Sequence, residues 1–126
     1  MTLVLDTGAL IALESNDRVM WARLKAALLV RSVPVSHGGV VGQAWRGAGP
    51  RQALLAKVLE GIDVRPLDDE LGRAAGELLA RAGSNDVIDA ALAILADDGD
   101  DVVTSDVADF ETLAAHLDRH VEILHV

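Results

Sequence analysis

The stretch "SNDVIDAALAILADDGDDVVTSDVADF", residues 84–110, joins a helix pattern to a strand pattern and carries many aspartates. The apolar residues of 84–99 favour a helix, while "DVVTSD", residues 101–106, is short and rich in β-branched residues, as a buried strand is. A second helix pattern follows at residues 107–120. Helix, strand and helix in this order are typical of an α/β fold with a parallel sheet.

The rest of the chain repeats this alternation. Four more stretches, residues 2–6, 33–37, 62–68 and 121–126, have strand character, and five more, residues 7–15, 17–32, 38–49, 50–61 and 69–83, have helix character. No linker, repeat or low-complexity tract interrupts them. We therefore predict one three-layer α/β domain over residues 1–126, with a mostly parallel five-stranded sheet and helices on both faces.

The composition limits the kinds of protein this chain can be. Hydrophobic residues make up 51% but aromatic residues only 2%, so the core must be built from Ala, Val, Leu and Ile. The absence of cysteine excludes disulfides, thiolate metal sites and a cysteine nucleophile. The first residues lack the basic region of a signal peptide, and no apolar run approaches the length of a membrane span. We expect a soluble, cytoplasmic protein.

The net charge of −9 argues against broad electrostatic binding to nucleic acid. Such binding needs Lys and Arg to displace counterions from the phosphate backbone. A phosphate-bearing substrate would have to be met by a metal ion or by a local basic patch.

Three aspartates occupy positions where an α/β fold builds sites. Asp6 and Asp106 each follow a predicted strand, and Asp89 interrupts the apolar face of the helix before the last of these strands. Asp86, three residues earlier, shares its helix face. Carboxylates that converge at the carboxyl edge of a sheet repel one another unless a cation compensates them. Oxygen ligands suit Mg²⁺ or Mn²⁺, and the absence of His and Cys ligands argues against zinc.

Each acid also has a purely structural interpretation. Asp106 and Ser105 can cap the helix that begins near Val107, and Asp86 suits the first turn of its own helix. For Asp86 we favour the structural interpretation. The four remaining aspartates around Gly99 are expected to form a solvated turn: Asp97, Asp98, Asp100 and Asp101.

Three motifs in this order resemble the PIN-domain nucleases, and most closely the VapC-type toxins of bacterial toxin–antitoxin pairs. The motifs are "LVLDTGALIAL", "DAALAILA" and "VVTSDVADF", and the resemblance covers nearly the whole chain. It implies a compact α/β domain that gathers acids around Mg²⁺ or Mn²⁺ and cleaves RNA. It places the catalytic and metal-binding roles on Asp6, Asp89 and Asp106. It also implies an orienting role for the Thr104 hydroxyl and an outer contribution from Asp109.

One position departs from the family pattern. The helix in "VVGQAWRG" usually carries a glutamate, and the matching residue here is Gln43. Glutamine supplies no charge and cannot act as a base, although its amide oxygen can hold a metal-bound water. This departure puts tight metal binding and full activity in doubt. Asp86 is a candidate for supplying the missing charge.

The resemblance also implies partners. It implies an RNA substrate, with tRNA a common target in that family, a VapB-type antitoxin and a homodimer. Arg46 and Arg51, with Lys57 further on, form the one basic patch we predict for RNA, and Trp45 beside them can stack a base or belong to the core.

Two other functions stay open. The first is a catalytically weak PIN-like module that binds RNA or a protein without cutting, because Gln43 replaces an acid. The second is a phosphate-receiving domain, which gathers acids at strand ends but needs a lysine near them. The two lysines, Lys25 and Lys57, both fall in the middle of predicted helices, so we rank this function low.

Overall fold

Five short strands and seven helices alternate along the chain. The computed structural model describes every residue from Met1 to Val126. The strands are β1 (Leu3–Leu5), β2 (Val35–His37), β3 (Asp63–Arg65), β4 (Asp101–Thr104) and β5 (Glu122–His125). The helices are α1 (Thr7–Glu14), α2 (Arg18–Leu29), α3 (Gly38–Ala44), α4 (Pro50–Glu60), α5 (Asp69–Ala82), α6 (Val87–Leu95) and α7 (Val107–Ala114). None of the helices has the length and apolarity that crossing a membrane requires.

The five strands form one sheet in the order β3-β2-β1-β4-β5, and all neighbours run parallel. The connections lead outward from β1 through β2 to β3, and then return past β1 to β4 and β5. Because crossovers between parallel strands are right-handed, this reversal places α1 to α4 on one face and α5 to α7 on the other. The predicted α/β fold with helices on both faces is confirmed, and the direction reverses between β1 and β4.

Small aliphatic side chains fill the space between the layers. Val4, Leu5, Val102 and Val103 of the central strands are almost completely buried. Helix α6 packs against α5 through a face rich in alanine, which lets two helices approach closely. The core therefore forms without large aromatic residues, apart from the fully buried Phe110.

Three helices, α3, α6 and α7, are shorter than the sequence patterns predict. Helix α6 ends at Leu95 rather than near Gly99, since the Arg119 guanidinium donates to the carbonyls of Ala93, Ile94 and Ala96. A cation at a helix C-terminus is favourable there.

In the other two helices, backbone N–H groups of the segment after the helix donate to side chains. Helix α3 ends at Ala44, where the Gln52 amide oxygen accepts from the backbone N–H groups of Arg46 and Gly47. Helix α7 ends at Ala114, and beyond it the backbone N–H of His120 donates to Asp98.

The expectation of a solvated turn around Gly99 is wrong for Asp100 and Asp101. Asp101 is half-buried and begins β4, where it pairs with Leu3 and Glu122. Asp100 is 6% exposed and accepts from the backbone N–H of Thr2 at 2.8 Å and of Asp97 at 2.9 Å. It ties the turn before β4 to the start of β1. Asp97 and Asp98 are exposed, as expected for a turn.

Candidate active site

A cavity of about 230 Å³ opens at the carboxyl edge of the sheet, where β1 and β4 end side by side. It is lined by Asp6, Thr7, Gly8, Ile11, Gln43, Asp86, Asp89, Ser105 and Asp106. The strand order reverses at this point, which is where open α/β sheets bind their ligands. The structure thus brings together four of the aspartates singled out in the sequence, together with Gln43.

Asp6 lies deepest and keeps one oxygen without a partner. It follows β1 directly, is 2% exposed and accepts from the Thr104 hydroxyl through Oδ2 at 2.7 Å. Its Oδ1 is buried and has no hydrogen-bond partner. Asp6 is the N-cap residue of α1, yet its side chain makes no capping bond. Because a buried carboxylate oxygen without a partner is costly, this atom points to a ligand.

Thr104 links the two strand ends. Its hydroxyl donates to Asp6 and accepts from the backbone N–H of Asp106 at 2.9 Å. Asp106 occupies the N-cap position of α7, as the structural interpretation expects, but its side chain makes no capping bond. Thr104 therefore has the position expected of an orienting hydroxyl.

Asp86 is the N-cap residue of α6, and Asp89 lies in the first turn of the same helix. Asp86 caps this helix, because its Oδ1 accepts from the backbone N–H of Asp89 at 3.0 Å. The structural interpretation of Asp86 is thus confirmed, although the residue also lines the cavity. Asp89 is 7% exposed, and no hydrogen bond compensates its carboxylate.

The acids of the cavity disfavour one another's charge. Burial raises the pKa of Asp89 to about 7, and the charges of Asp6, Asp86, Asp106 and the exposed Asp109 add to this. Burial also raises the pKa of Asp6, and the charges of Asp106 and Asp86 add to this, while the hydrogen bond from the Thr104 hydroxyl opposes it. A divalent cation would relieve both effects, since it favours the charged form of each carboxylate.

The donor set fits a hard cation, but the carboxylates are not drawn together around one point. No group of three or more Asp, Glu, His or Cys side chains lies close enough to form a ready-made metal cluster. Mg²⁺ is commonly held by one or two carboxylates and keeps several waters. The free Asp6 oxygen and the carboxylates around it suit this kind of binding.

Comparison with solved structures decides the fold. One chain in the crystal structure of VapBC2 from Rickettsia felis bound to a DNA fragment from their promoter matches with a TM-score of 0.72. The match covers 100% of this chain and 99% of that chain, at 13% sequence identity. The protein has the PIN-like fold. No protein family and no curated protein matches the sequence itself, so the likeness is one of fold.

In this PIN-like fold, Gln43 lines the acidic cavity and its side chain contacts α1. The Thr7 hydroxyl donates to the Gln43 amide oxygen. That oxygen is therefore already engaged, and the amide N–H₂ group remains as a donor. Gln43 is exposed, and its side chain adds no charge to the cavity.

His37 is a buried residue next to the cavity that the sequence interpretation missed. Its Nδ1 accepts from the Gly39 backbone at 3.0 Å, so its Nε2 carries the proton and donates to the Ile88 carbonyl at 2.9 Å. Burial lowers the pKa of His37, which keeps the ring neutral. The ring fixes the start of α6, beside Asp89, to the end of β2. Its position at the last residue of a strand was the one signal in the sequence.

Gly8 allows α1 to approach the loop after β4. A Cβ at this position would lie 2.6 Å from the Ser105 hydroxyl and 3.1 Å from the Ser105 backbone nitrogen. A side chain here would push apart the segments that carry Asp6 and Asp106.

The predicted basic patch is not assembled as one unit. The Arg46 guanidinium donates to the carbonyls of Gly42 and Trp45 at the end of α3. Arg51 lines a different cavity, between α1 and α4. Trp45 is 40% exposed. None of these residues lines the acidic cavity.

Proposed function

We propose that this protein is a metal-dependent endoribonuclease that acts in the cytoplasm as the toxin of a toxin–antitoxin pair. One observation carries the proposal: Asp6, Asp89 and Asp106 line a single cavity, and the buried Oδ1 of Asp6 has no protein partner. The likeness in fold to a chain of VapBC2 supports the toxin class.

The three aspartates would hold Mg²⁺ or Mn²⁺, and the surrounding residues would set their orientation. When bound, such an ion supplies Lewis acidity that activates water and stabilises charge on the phosphodiester. Thr104 fixes the Asp6 carboxylate through its hydroxyl. Asp109, which is exposed, adds negative charge around Asp89 without lining the cavity.

The acidic character of the protein is compatible with an RNA substrate if few phosphates are contacted. We propose RNA as the substrate, with tRNA as the leading candidate, on the resemblance of the motifs alone. By the same reasoning we propose a VapB-type antitoxin as the partner and a homodimer as the assembly. A cation in the cavity would offset part of the repulsion between the aspartates and a phosphate.

The proposal is tested by incubating total RNA with the protein, with Mn²⁺ or with a chelator. Cleavage should require the metal and should be lost in Asp6→Asn, Asp89→Asn and Asp106→Asn. Asp97→Asn is the matched control, because Asp97 is an exposed aspartate of the Gly99 turn. Normal cleavage by all three cavity variants would refute the proposal.

Asp86 is the residue to test as a substitute for the missing glutamate. One of its oxygens caps α6, and the residue lines the cavity. We expect Asp86→Asn to reduce metal-dependent cleavage, because it removes a charge from the cavity while asparagine still caps the helix. Unchanged cleavage, beside complete loss in Asp89→Asn, would assign Asp86 to capping alone.

A second candidate function is a PIN-like module that binds RNA or a protein and cuts weakly or not at all. Two observations favour it: Gln43 adds no charge, and the carboxylates form no ready-made metal cluster. A Mn²⁺ titration of RNA cleavage by the parent and by Gln43→Glu separates the two functions. A module of this kind shows little or no cleavage at any Mn²⁺ concentration, and Gln43→Glu would raise cleavage strongly.

A further inference from the structure

Two neighbouring cavities on the α1–α4 side of the sheet bring together cations that are far apart in sequence. One, of about 430 Å³, lies between α2 and α4, and the other, of about 360 Å³, lies between the end of α1 and α4. They share Asn16 and Leu54, so they are adjacent, and we treat them together as one groove. We call it the basic groove and define it by Asn16, Arg18, Trp21, Lys25, Arg51 and Leu54.

The three cations of the basic groove are free to bind a ligand. Arg18, Lys25 and Arg51 are exposed, and none of them forms an ion pair or a side-chain hydrogen bond. Two acids lie close to these cations: Glu14 lines the groove and accepts from the Gln52 amide, and Asp17 caps α2. The three cations therefore outnumber the carboxylates in and beside the groove. In a protein of net charge −9, a groove with three unpaired cations favours an anionic ligand.

Helix α1 contributes residues to both the acidic cavity and the basic groove. Ile11 lines the acidic cavity and Ser15 lines the groove, and the Ser15 backbone N–H donates to the Ile11 carbonyl at 2.9 Å. Residues four apart share one helix face and are separated by about 6 Å along the axis. A strand leaving the acidic cavity along α1 therefore reaches the cations within a short distance.

Trp21 gives this groove a surface on which a base can stack. Its Nε1 donates to the Leu13 carbonyl at 3.0 Å, which fixes the ring, while the half-buried side chain lines the groove. Cations that follow a backbone, together with an aromatic ring that stacks a base, are the usual elements of single-strand binding.

We propose that the basic groove binds the single-stranded RNA segment that flanks the cut phosphodiester, with Arg18, Lys25 and Arg51 on its phosphates and Trp21 against a base. This inference rests on the proposed ribonuclease function, because it concerns the same substrate. It relocates the RNA contacts from Arg46 to α2 and keeps Arg51.

Salt dependence of binding tests the groove without relying on cleavage. The Asp6→Asn protein is mixed with a short fluorescein-labelled single-stranded RNA, and anisotropy is followed over a series of KCl concentrations. Each lost phosphate contact should reduce the slope of log affinity against log salt by about 0.7. Adding Arg18→Gln/Arg51→Gln should therefore weaken binding and reduce the slope by about 1.4.

The matched control is Arg73→Gln/Arg81→Gln, which removes the same charge from α5 on the opposite face of the sheet. It should leave the slope unchanged. We call Arg18→Gln/Arg51→Gln the groove variant. Equal slopes with and without these two substitutions, or an equal loss in the control, would overturn the proposal. Binding of an acidic peptide that depends on Arg18 and Arg51, while RNA binding does not, would reassign the groove to a protein partner.

Fluorescence locates the bound RNA. Trp45→Phe leaves Trp21 as the one tryptophan of the chain, since the sequence has two. RNA binding should then quench the remaining emission. Binding seen by anisotropy without any change in Trp21 emission would overturn the placement of RNA in this groove.

Cleavage kinetics separate failure of the groove from failure of the proposed function. With Mn²⁺ present, the groove variant should raise KM for RNA and leave kcat close to that of the parent. If the parent binds RNA more tightly and with a steeper salt slope than the groove variant, but cuts nothing, the ribonuclease function fails while the groove stands. If the parent cuts RNA and the groove variant has an unchanged KM, the groove fails while the function stands.

Discussion

Two buried aspartates, one at each end of the sheet, have opposite surroundings. Asp100, before β4, is 6% exposed, and each of its oxygens accepts from a backbone N–H. Asp6, after β1, is 2% exposed, and one of its oxygens has no partner. Asp100 is satisfied by the fold alone, whereas Asp6 lies among other acids that raise its pKa.

The number of hydrogen bonds that a buried carboxylate accepts distinguishes one that stabilises the fold from one that is available to bind a ligand. A satisfied buried carboxylate strengthens a structure, while an incompletely satisfied one costs stability and is retained for another reason. Substitution should therefore have opposite consequences at the two ends.

The largest expected effect is on activity at the carboxyl edge. Asp6→Asn should lower RNA cleavage about a thousandfold, because metal-supplied charge stabilisation is worth several kcal/mol. Its free energy of unfolding in the absence of metal should stay the same or rise, because a repelled charge is removed. Cleavage assays and urea denaturation check both parts. A large loss of stability would place Asp6 in the same class as Asp100.

The next effect is the pH dependence of stability. Because the pKa of Asp89 is raised from 3.8 to about 7, the folded protein binds this proton more tightly than the unfolded chain does. Without metal, Asp89 ionisation should cost stability as pH rises from about 4 to about 7, by at most roughly 4 kcal/mol. Asp89→Asn should remove this loss, so the difference between variant and parent should grow over that range. A difference that is constant with pH would contradict the raised pKa.

A smaller effect is expected at the opposite edge. Asp100→Ala leaves the backbone N–H groups of Thr2 and Asp97 without their acceptor, which should cost about 2–4 kcal/mol of unfolding free energy. The folded fraction should retain the parent cleavage rate, since Asp100 lies outside the cavity. Urea denaturation with a cleavage assay under folding conditions measures both. Asp97→Ala, at an exposed side chain, should change neither.

The smallest effect concerns the hydroxyl that orients Asp6. Thr104→Val keeps the size of the side chain but removes the donor to Asp6 and the acceptor for the Asp106 backbone. We expect a tenfold to hundredfold loss of cleavage, as is usual when a ligand loses its supporting hydrogen bond. Recovery at high Mn²⁺ would show that the hydroxyl acts through metal binding, and a rate equal to the parent's would exclude an orienting role.

The sequence allowed the fold and part of this contrast to be predicted. Asp6 and Asp106 could be placed because each lies just after an apolar strand, within two residues of its end, and parallel strands end at the same edge. The burial of Asp100 could not be predicted, because its partner Thr2 is 98 residues away. The early end of α6 depends likewise on Arg119.

The basic groove could not be predicted from the sequence either, because its residues are brought close together only by tertiary contacts. Arg18 and Arg51 line neighbouring cavities only because α2 and α4 both lie beside the end of α1. The sequence suggested Arg46 and Arg51 because both lie around the short third helix, and it gave no sign of Arg18. Local pattern predicts which elements form, and tertiary contacts decide which side chains meet.

The most direct test of the central claim, that the free oxygen of Asp6 belongs to a divalent cation site, is calorimetric titration of Mn²⁺ into the parent, Asp6→Asn and Asp97→Asn. The parent and Asp97→Asn should take up Mn²⁺ with the same affinity, and Asp6→Asn should lose this uptake. No uptake by the parent, or equal uptake by Asp6→Asn, would contradict the claim.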